Sequence, residues 1–301
     1  MPRKRKRLKQ PWVDSVELKL RGFPCAEWHE GLECILHSET DPQKTFDNFV
    51  GNLLDSLGRR YFPVYRMADG EFLFCLGWRP PVTPVPEKFQ ALKTLKLGVR
   101  EKLHELRGFG TMWGENYNLM QTLKGRRKLV GLIQEISRHG MLALYFMRRG
   151  DFWGEQFIQP MLRWFRKNSI ELTARNYLPF YMVYAALCGP ENSQLFAGRK
   201  VLVATGADHP GKECIAQGLK DLQAGSVEFL EISPTQSMFT TIDINRIRET
   251  PEIVLTGAGV GSANIIAQMR EIKAPVIDAG IFLETLIDPS HKDKRPFLKP
   301  A

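Results

Sequence analysis

Two carboxylates separated by one glycine, Asp69-Gly70-Glu71, follow directly on the apolar run Tyr61-Phe62-Pro63-Val64-Tyr65-Arg66-Met67. The run has the length and residue types of a short buried strand, so the pair is expected at a strand end. Side chains two apart on extended backbone point the same way, and two carboxylates so placed can share one divalent ion through oxygen ligands. Such an ion acts as Lewis acid and template for a diphosphate leaving group, whose growing negative charge needs neutralising. Gly70 leaves room between the ligands, and Arg66, three residues before Asp69, is placed to add a charge-assisted contact to the same phosphates. The tripeptide also reads as an ordinary polar turn.

Two glycine turns could serve a nucleotide. Val201-Leu202-Val203-Ala204-Thr205-Gly206 and Ile253-Val254-Leu255-Thr256-Gly257-Ala258-Gly259-Val260-Gly261-Ser262 each read as a strand opening toward a helix. Glycine at Gly206, Gly257 and Gly259 lets backbone approach a phosphate or nucleoside closely, and helix N-terminal amides favour negative charge. The second turn has Asp278 downstream at about the 20-residue spacing of a ribose-binding acid. Against a nicotinamide enzyme, Ser262 stands in the third-glycine place and 44 residues follow Gly257, too few for a complete binding half. Both turns also read as plain sheet-to-helix connections.

These residues need elements to hold them. Phe46, Phe49, Val50, Leu53, Leu54 and Leu57 recur at helical spacing ahead of Gly58, within an amphipathic helix expected between Leu32 and Leu57. Arg79 to Pro86 is a Pro-rich connector, and helical patterning returns from Glu87 to Leu106, Leu129 to Arg138 and Gln156 to Lys167. A strand is expected at Met141 to Phe146, and the stretch from Glu171 to Tyr177 is expected to pass into a helix reaching Leu187. Four β-rich runs then follow, Lys200 to Ala204, Val227 to Ile232, Glu252 to Thr256 and Pro275 to Ile277, separated by helical or loop segments. This βαβα order implies an α/β fold, a Rossmann-like, mostly parallel sheet flanked by helices, with ligands at the carboxyl ends of its strands. The chain divides into a basic N-terminal tail and lead-in (residues 1–37), one α/β domain (38–290) and a C-terminal tail (291–301). Cys214, Trp153, Trp164 and Phe165 are expected in or beside the core.

The 301 residues are 43% hydrophobic, enough for a full core. No run reaches the roughly 18 apolar residues of a membrane span, and Met1 to Gln10 lacks the apolar centre of a signal peptide, so a cytoplasmic location is expected. Cys25, Cys34, Cys75, Cys188 and Cys214 are scattered without a C-x-x-C pair, which argues against a disulfide framework or a structural zinc. Six of the charges behind the net +9 lie in Arg3-Lys4-Arg5-Lys6-Arg7-Leu8-Lys9. That run could make peripheral contact with acidic membrane or another polyanion, or serve as a solvated tail.

Arg66-Met67-Ala68-Asp69-Gly70-Glu71-Phe72 resembles the Arg-x-Gly-Asp-Gly-Glu-Phe signature of the GT-D-fold glycosyltransferases, a bacterial family first catalogued as a domain of unknown function. Ser38-Glu39-Thr40 with its following helix is similar to that family's opening segment, and Thr173-Ala174-Arg175-Asn176-Tyr177 to its Arg-x-Tyr segment. Gly198-Arg199-Lys200-Val201-Leu202-Val203, the turn from Val254 to Asn264 and Val276-Ile277-Asp278-Ala279-Gly280 complete the likeness in the same order. The resemblance implies a GT-D-type fold and transfer of a hexose from a UDP-sugar to a glycan or glycoconjugate in building polysaccharide or protein-linked glycans. It implies that Asp69 and Glu71 hold Mn²⁺ or Mg²⁺ on the donor diphosphate, that the glycine turns border uridine and ribose, and that Arg175 reaches a phosphate. An inverting transfer needs a general base for the acceptor hydroxyl, for which Asp278 is the candidate and Asp208 and His209 the second choices. Asp278 also reads as a cap of the next helix. The sequence departs from the signature at Ala68 for glycine, at Ala207-Asp208 where arginine is common, and at Ile281 for histidine.

A different class stays open beside this one: a non-catalytic nucleotide- or nucleic-acid-binding α/β protein that uses its basic tail and body.

Overall fold

The computed structural model describes residues 42–77, 117–145, 152–173, 175–189 and 191–293. The basic tail, the Pro-rich connector, the helix expected over 87–106 and most of the C-terminal tail lie outside the described residues, as does the side chain of Trp153.

Helix α1 (Pro42–Ser56) buries the expected stripe, with Phe46, Phe49, Val50 and Leu53 inside, and Gly58 at φ 62° turns the chain out of it. Strand β1 (Phe62–Met67) leads into helix α2 (Asp69–Leu76). After α3 (Leu119–His139) come β2 (Met141–Leu144), α4 (Phe152–Lys167), β3 (Tyr177–Pro179), α5 (Tyr181–Cys188) and α6 (Asn192–Phe196). The second half runs β4 (Lys200–Thr205), α7 (His209–Asp221), β5 (Ser226–Glu231), β6 (Ile253–Gly257), α8 (Ser262–Gln268), β7 (Pro275–Asp278), α9 (Ile281–Ile287) and α10 (Ser290–Asp293).

The seven strands form one sheet in the order β3-β2-β1-β7-β6-β4-β5, and every strand pairing is parallel. The α/β expectation holds. Alternation along each strand feeds two cores: Val201, Val203, Leu255 and Ile277 pack with α1, α5, α6, α7 and α9, while Leu202, Ala204, Val254 and Val276 pack with α3, α4 and α8. Burial on both faces explains why β4, β6 and β7 read as near-continuous apolar runs, while the edge strand β5, Ser226 to Glu231, is only partly buried and carries two glutamates. Removing a side chain such as Leu202, fully enclosed between sheet and helices, would cost about 2–5 kcal/mol.

Two local expectations need correcting. Tyr177 to Pro179 is a short strand at the sheet edge, not the start of a helix, because the apolar run through Leu187 carries too few residues to separate a three-residue strand from the buried helix after it. Asp69-Gly70-Glu71 is not an extended strand end but the first turn of α2. Ala68 keeps extended backbone (φ −114°, ψ −163°), and the Glu71 carboxylate accepts its N–H at 2.9 Å, half of a capping box.

Among the described residues no helix is long and apolar enough to cross a membrane. None of Cys75, Cys188 and Cys214 is in a disulfide. Phe165 is core and Trp164 packs on it, but Cys214 is exposed, because α7 buries Gly211, Ile215 and Leu219 instead.

Candidate functional site

The chain builds outward from β1 to β3, then starts again at β4 and works back to β7, which closes the sheet beside β1. The carboxyl ends of β1, β7 and β6 therefore lie side by side, at the kind of reversal in strand order where parallel sheets bind ligands. All three carry residues singled out by type: Asp69 and Glu71 after β1, Asp278 ending β7, and Gly257 and Gly259 after β6.

Arg66 and Asp278 knit this edge together. Arg66 Nε donates to the Asp278 carbonyl at 2.7 Å, and Nη2 to Asp278 Oδ1 at 3.3 Å. The same Oδ1 accepts the Ser262 hydroxyl at 3.2 Å, so one carboxylate oxygen ties β1, β7 and the start of α8. Arg66 Nη1 donates to the Tyr184 hydroxyl, and the guanidinium sits 4.9 Å from the Tyr184 ring centroid and 5.1 Å from that of Phe180. Gly280, at φ 46°, completes the enclosure: a Cβ there would stand 1.6 Å from Arg66 Nη2.

Burial governs the electrostatics. It pushes Asp278, which is 2% exposed, above the usual carboxylate range, against the opposing pull of Arg66 and Ser262. Glu71 is pushed up to about 7, chiefly by burial, with the Ala68 N–H opposing and Asp278 adding to the rise. Burial opposes the charge of Arg66, but Asp278, Tyr184 and Glu71 outweigh it and hold the guanidinium above its ordinary value. The Tyr65 and Tyr184 phenols are raised by the same desolvation, so both stay neutral.

The geometry gives several residues other work than their types suggested. Arg66 was expected on donor phosphates, but its bonds run to Asp278 and Tyr184. Asp278, the candidate base, is committed to Arg66 and Ser262 and has almost no surface, so it positions rather than meets an acceptor. In a helical turn, side chains at i and i+2 diverge by about 200°, so Asp69 and Glu71 lose the extended-strand reason for sharing one ion. Glu71 is buried beneath its cap while Asp69 is only half-buried. Gly70 is buried within α2.

The glycines at 206 and 257 are accounted for by protein packing. A Cβ on Gly206 would come within 2.9 Å of Pro234, and one on Gly257 within 2.8 Å of Leu283. Gly259, at φ 50°, begins the short turn into α8. Asp208 caps α7 by accepting the Gly211 N–H at 2.9 Å, and His209 is exposed beside Glu213. Arg175 is exposed and precedes β3, two strands from β1 and toward the amino edge of the sheet. It does not join the group at the carboxyl edge.

Three contributors escaped the sequence reading. Tyr184 lies inside an apolar run with nothing to mark it. Ser262 had a signal, because the residue that spoils a dinucleotide fingerprint is the one that donates to Asp278. Thr256, level with Asp278 across the β6–β7 pairing, is fully buried, and its hydroxyl finds no hydrogen-bond partner among the described residues.

As to metal, no group of three or more His, Cys, Asp or Glu among the described residues could cage an ion. A site of the Mg²⁺ type, one or two carboxylates plus substrate phosphates, does not need such a cage. Half-buried Asp69, in the first turn of α2, fits it; Glu71, turned away and bonded to the Ala68 N–H, does not join it in this geometry.

The class defined by fold and site is an α/β protein whose fully parallel sheet carries a polar cluster on adjacent carboxyl ends. No protein-family profile matches the chain, and no curated protein sequence matches it. Two solved structures are similar in fold. One, described as showing that the highly conserved domain of unknown function 1792 has a distinct glycosyltransferase fold, gives a TM-score of 0.47 at 11% identity, over 82% of this chain and 86% of its own. A selenomethionine-substituted structure of the same domain gives 0.43 at 13% identity, over 83% and 87%. Likenesses of this size leave function to be argued from the chain's own residues.

Proposed function

We propose that the protein is a glycosyltransferase that moves a hexose from a nucleotide sugar, a UDP-sugar by the signature it resembles, to a glycan or glycoconjugate acceptor. One observation carries this reading: segments far apart in the sequence that resemble one family's signature, 66–72, 254–264 and 276–280, converge on the adjacent carboxyl ends of β1, β6 and β7.

Asp69 would hold Mn²⁺ or Mg²⁺ together with the donor phosphates, while Glu71 stays on the Ala68 N–H as the helix cap, and the bound ion would supply Lewis-acid neutralisation of the diphosphate. The N–H groups of the first turn of α2 point their positive end toward the same space. Arg66 and Asp278 act from beneath, fixing the end of β7 and the start of α8 against β1. With the Arg66 charge matched by Asp278, this support adds little net field of its own.

The test is thermal melting of the full chain against UDP-, GDP-, CMP- and dTDP-sugars, with and without Mn²⁺, beside Asp69→Asn. A rise in melting temperature with one nucleotide class, dependent on Mn²⁺ and lost in Asp69→Asn, supports the reading. Equal binding without metal and in Asp69→Asn would sink the metal site. No shift with any donor, together with salt-sensitive binding of a nucleic acid, would replace the enzyme by a polyanion-binding protein.

A further inference from the structure

Helix α3 carries two apolar faces. One is buried, with Thr122, Gly125, Leu129, Ile133 and Ile136 against the sheet. The other is open: Leu119, Met120 and Leu123 are 39%, 61% and 41% exposed within the first turn and a half. Met120, Leu123, Lys124 and Arg127 stand at i, i+3, i+4 and i+7, a single stripe, and all four are exposed. Residues 118–134 contain four Lys or Arg and no Asp or Glu. Arg126 turns inward to the Phe74 carbonyl, and Lys128 donates to the Met238 carbonyl at 2.8 Å, so Lys124 and Arg127 carry the outward charge.

The patch lies at the same edge of the sheet as the candidate site. Helix α3 ends at His139 and passes through Gly140 directly into β2, so its first turn lies toward the carboxyl end, about 30 Å from its last. Contacts agree: Gln121 Nε2 donates to Gln236 Oε1, the Met238 N–H donates to the Tyr117 hydroxyl, and the neighbouring Ser237 hydroxyl donates to the Ala258 carbonyl just after β6.

We propose that this face docks the protein on an anionic lipid bilayer, with Leu119, Met120 and Leu123 entering the boundary between headgroups and acyl chains and Lys124 and Arg127 meeting lipid phosphates. Charge complementarity selects the partner, since a cationic flank with no acidic side chain among residues 118–134, set beside aliphatic side chains, is what an interfacial helix presents. A nucleic acid would use the cations but has no need of three aliphatics, and the stripe offers no aromatic ring for base stacking. The six cations of the N-terminal run add to the same attraction. Docking by this face would turn the carboxyl edge of the sheet toward the lipid surface.

The experiment is co-sedimentation of the full chain with vesicles of phosphatidylcholine alone and of equal parts phosphatidylcholine and phosphatidylglycerol. The protein should sediment with the mixed vesicles far more than with the neutral ones. Lys124→Glu with Arg127→Glu should weaken binding by about 25-fold or more, at roughly fivefold per charge lost. Met120→Asp with Leu123→Asp should weaken it by about tenfold or more, and Met120→Ser should weaken it measurably while keeping the wild-type melting temperature. Mixed-vesicle binding unchanged in Met120→Asp with Leu123→Asp would overturn the proposal by leaving attraction to the N-terminal run alone. So would absent vesicle binding, patch-dependent binding of single-stranded RNA in its place, or a patch-dependent dimer seen by light scattering without lipid binding. No sugar donor enters the assay, so its outcome is separate from that of the glycosyltransferase reading.

Discussion

Arg66 and Asp278, 212 residues apart, meet at the carboxyl edge of the sheet through a 2.7 Å bond to backbone and a 3.3 Å ion pair between side chains. The ion pair is nearly out of solvent, at 12% and 2% side-chain exposure. Each charge would be costly there alone, so the pair makes the first and last strands of the sheet depend on each other.

Replacing Arg66 by Met should therefore be severe. It strands the Asp278 carboxylate in a desolvated place, at a cost of about 3–5 kcal/mol, whereas Arg66→Met combined with Asp278→Asn should recover part of the loss. Urea unfolding of the two single variants and the double variant measures the coupling. Additive losses would show that the pair is incidental.

Glu71 makes stability fall as pH rises. An unfolded chain ionises this carboxyl near 4.5, while burial holds it protonated in the fold up to about 7. Below pH 4.5 both states carry the proton; between 4.5 and 7 only the folded state does, and above 7 the buried group must ionise. The contribution is thus present at low pH and lost through pH 7, a swing on the order of 3 kcal/mol. Asp278, also raised, acts in the same direction. Glu71→Gln keeps an acceptor for the Ala68 N–H and removes the titration, so in chelator the variant should gain on wild type between pH 5 and pH 8. Parallel stability curves would refute this.

Strands β4, β6 and β7 were legible because each is a short apolar run with β-branched residues, closed by a glycine or a turn, and all three fall within a residue of their expected ends. The edge strand β3 was not, since nothing in Tyr177 to Leu187 marks where extended backbone gives way to helix. The start of α2 was hidden for a different reason: Ala68 has no side-chain acceptor, so the usual N-cap signal is missing and Glu71 alone reaches back. That Asp278 ends a strand could be read from Pro275 to Ile277. That it faces Arg66 could not, because the pairing depends on β7 inserting beside β1, a property of the strand order. Arg175 shows the converse error, a residue carried along by resemblance whose place in the sheet keeps it from the group it was expected to join.

Thr256 tests whether the edge is complete without a ligand or buried water. Its unpaired hydroxyl costs about 1–3 kcal/mol if nothing satisfies it, so Thr256→Val, close in shape, should leave stability unchanged or raise it. A drop of more than about 1 kcal/mol in urea unfolding would mean that the hydroxyl has a partner.

Gly280 is the position where backbone and ion pair constrain each other. Its φ of 46° disfavours any side chain, at about 1–3 kcal/mol, and a Cβ would also press on Arg66 Nη2, which Asp278 and Tyr184 hold in place. Gly280→Ala should therefore destabilise by more than backbone strain alone. In an Arg66→Met background the obstruction is gone and only the strain remains, so the same substitution should cost less there. Equal costs in both backgrounds, measured by urea unfolding, would show that Gly280 is kept for its φ alone and that the close approach to Arg66 is relieved by a small shift of the guanidinium.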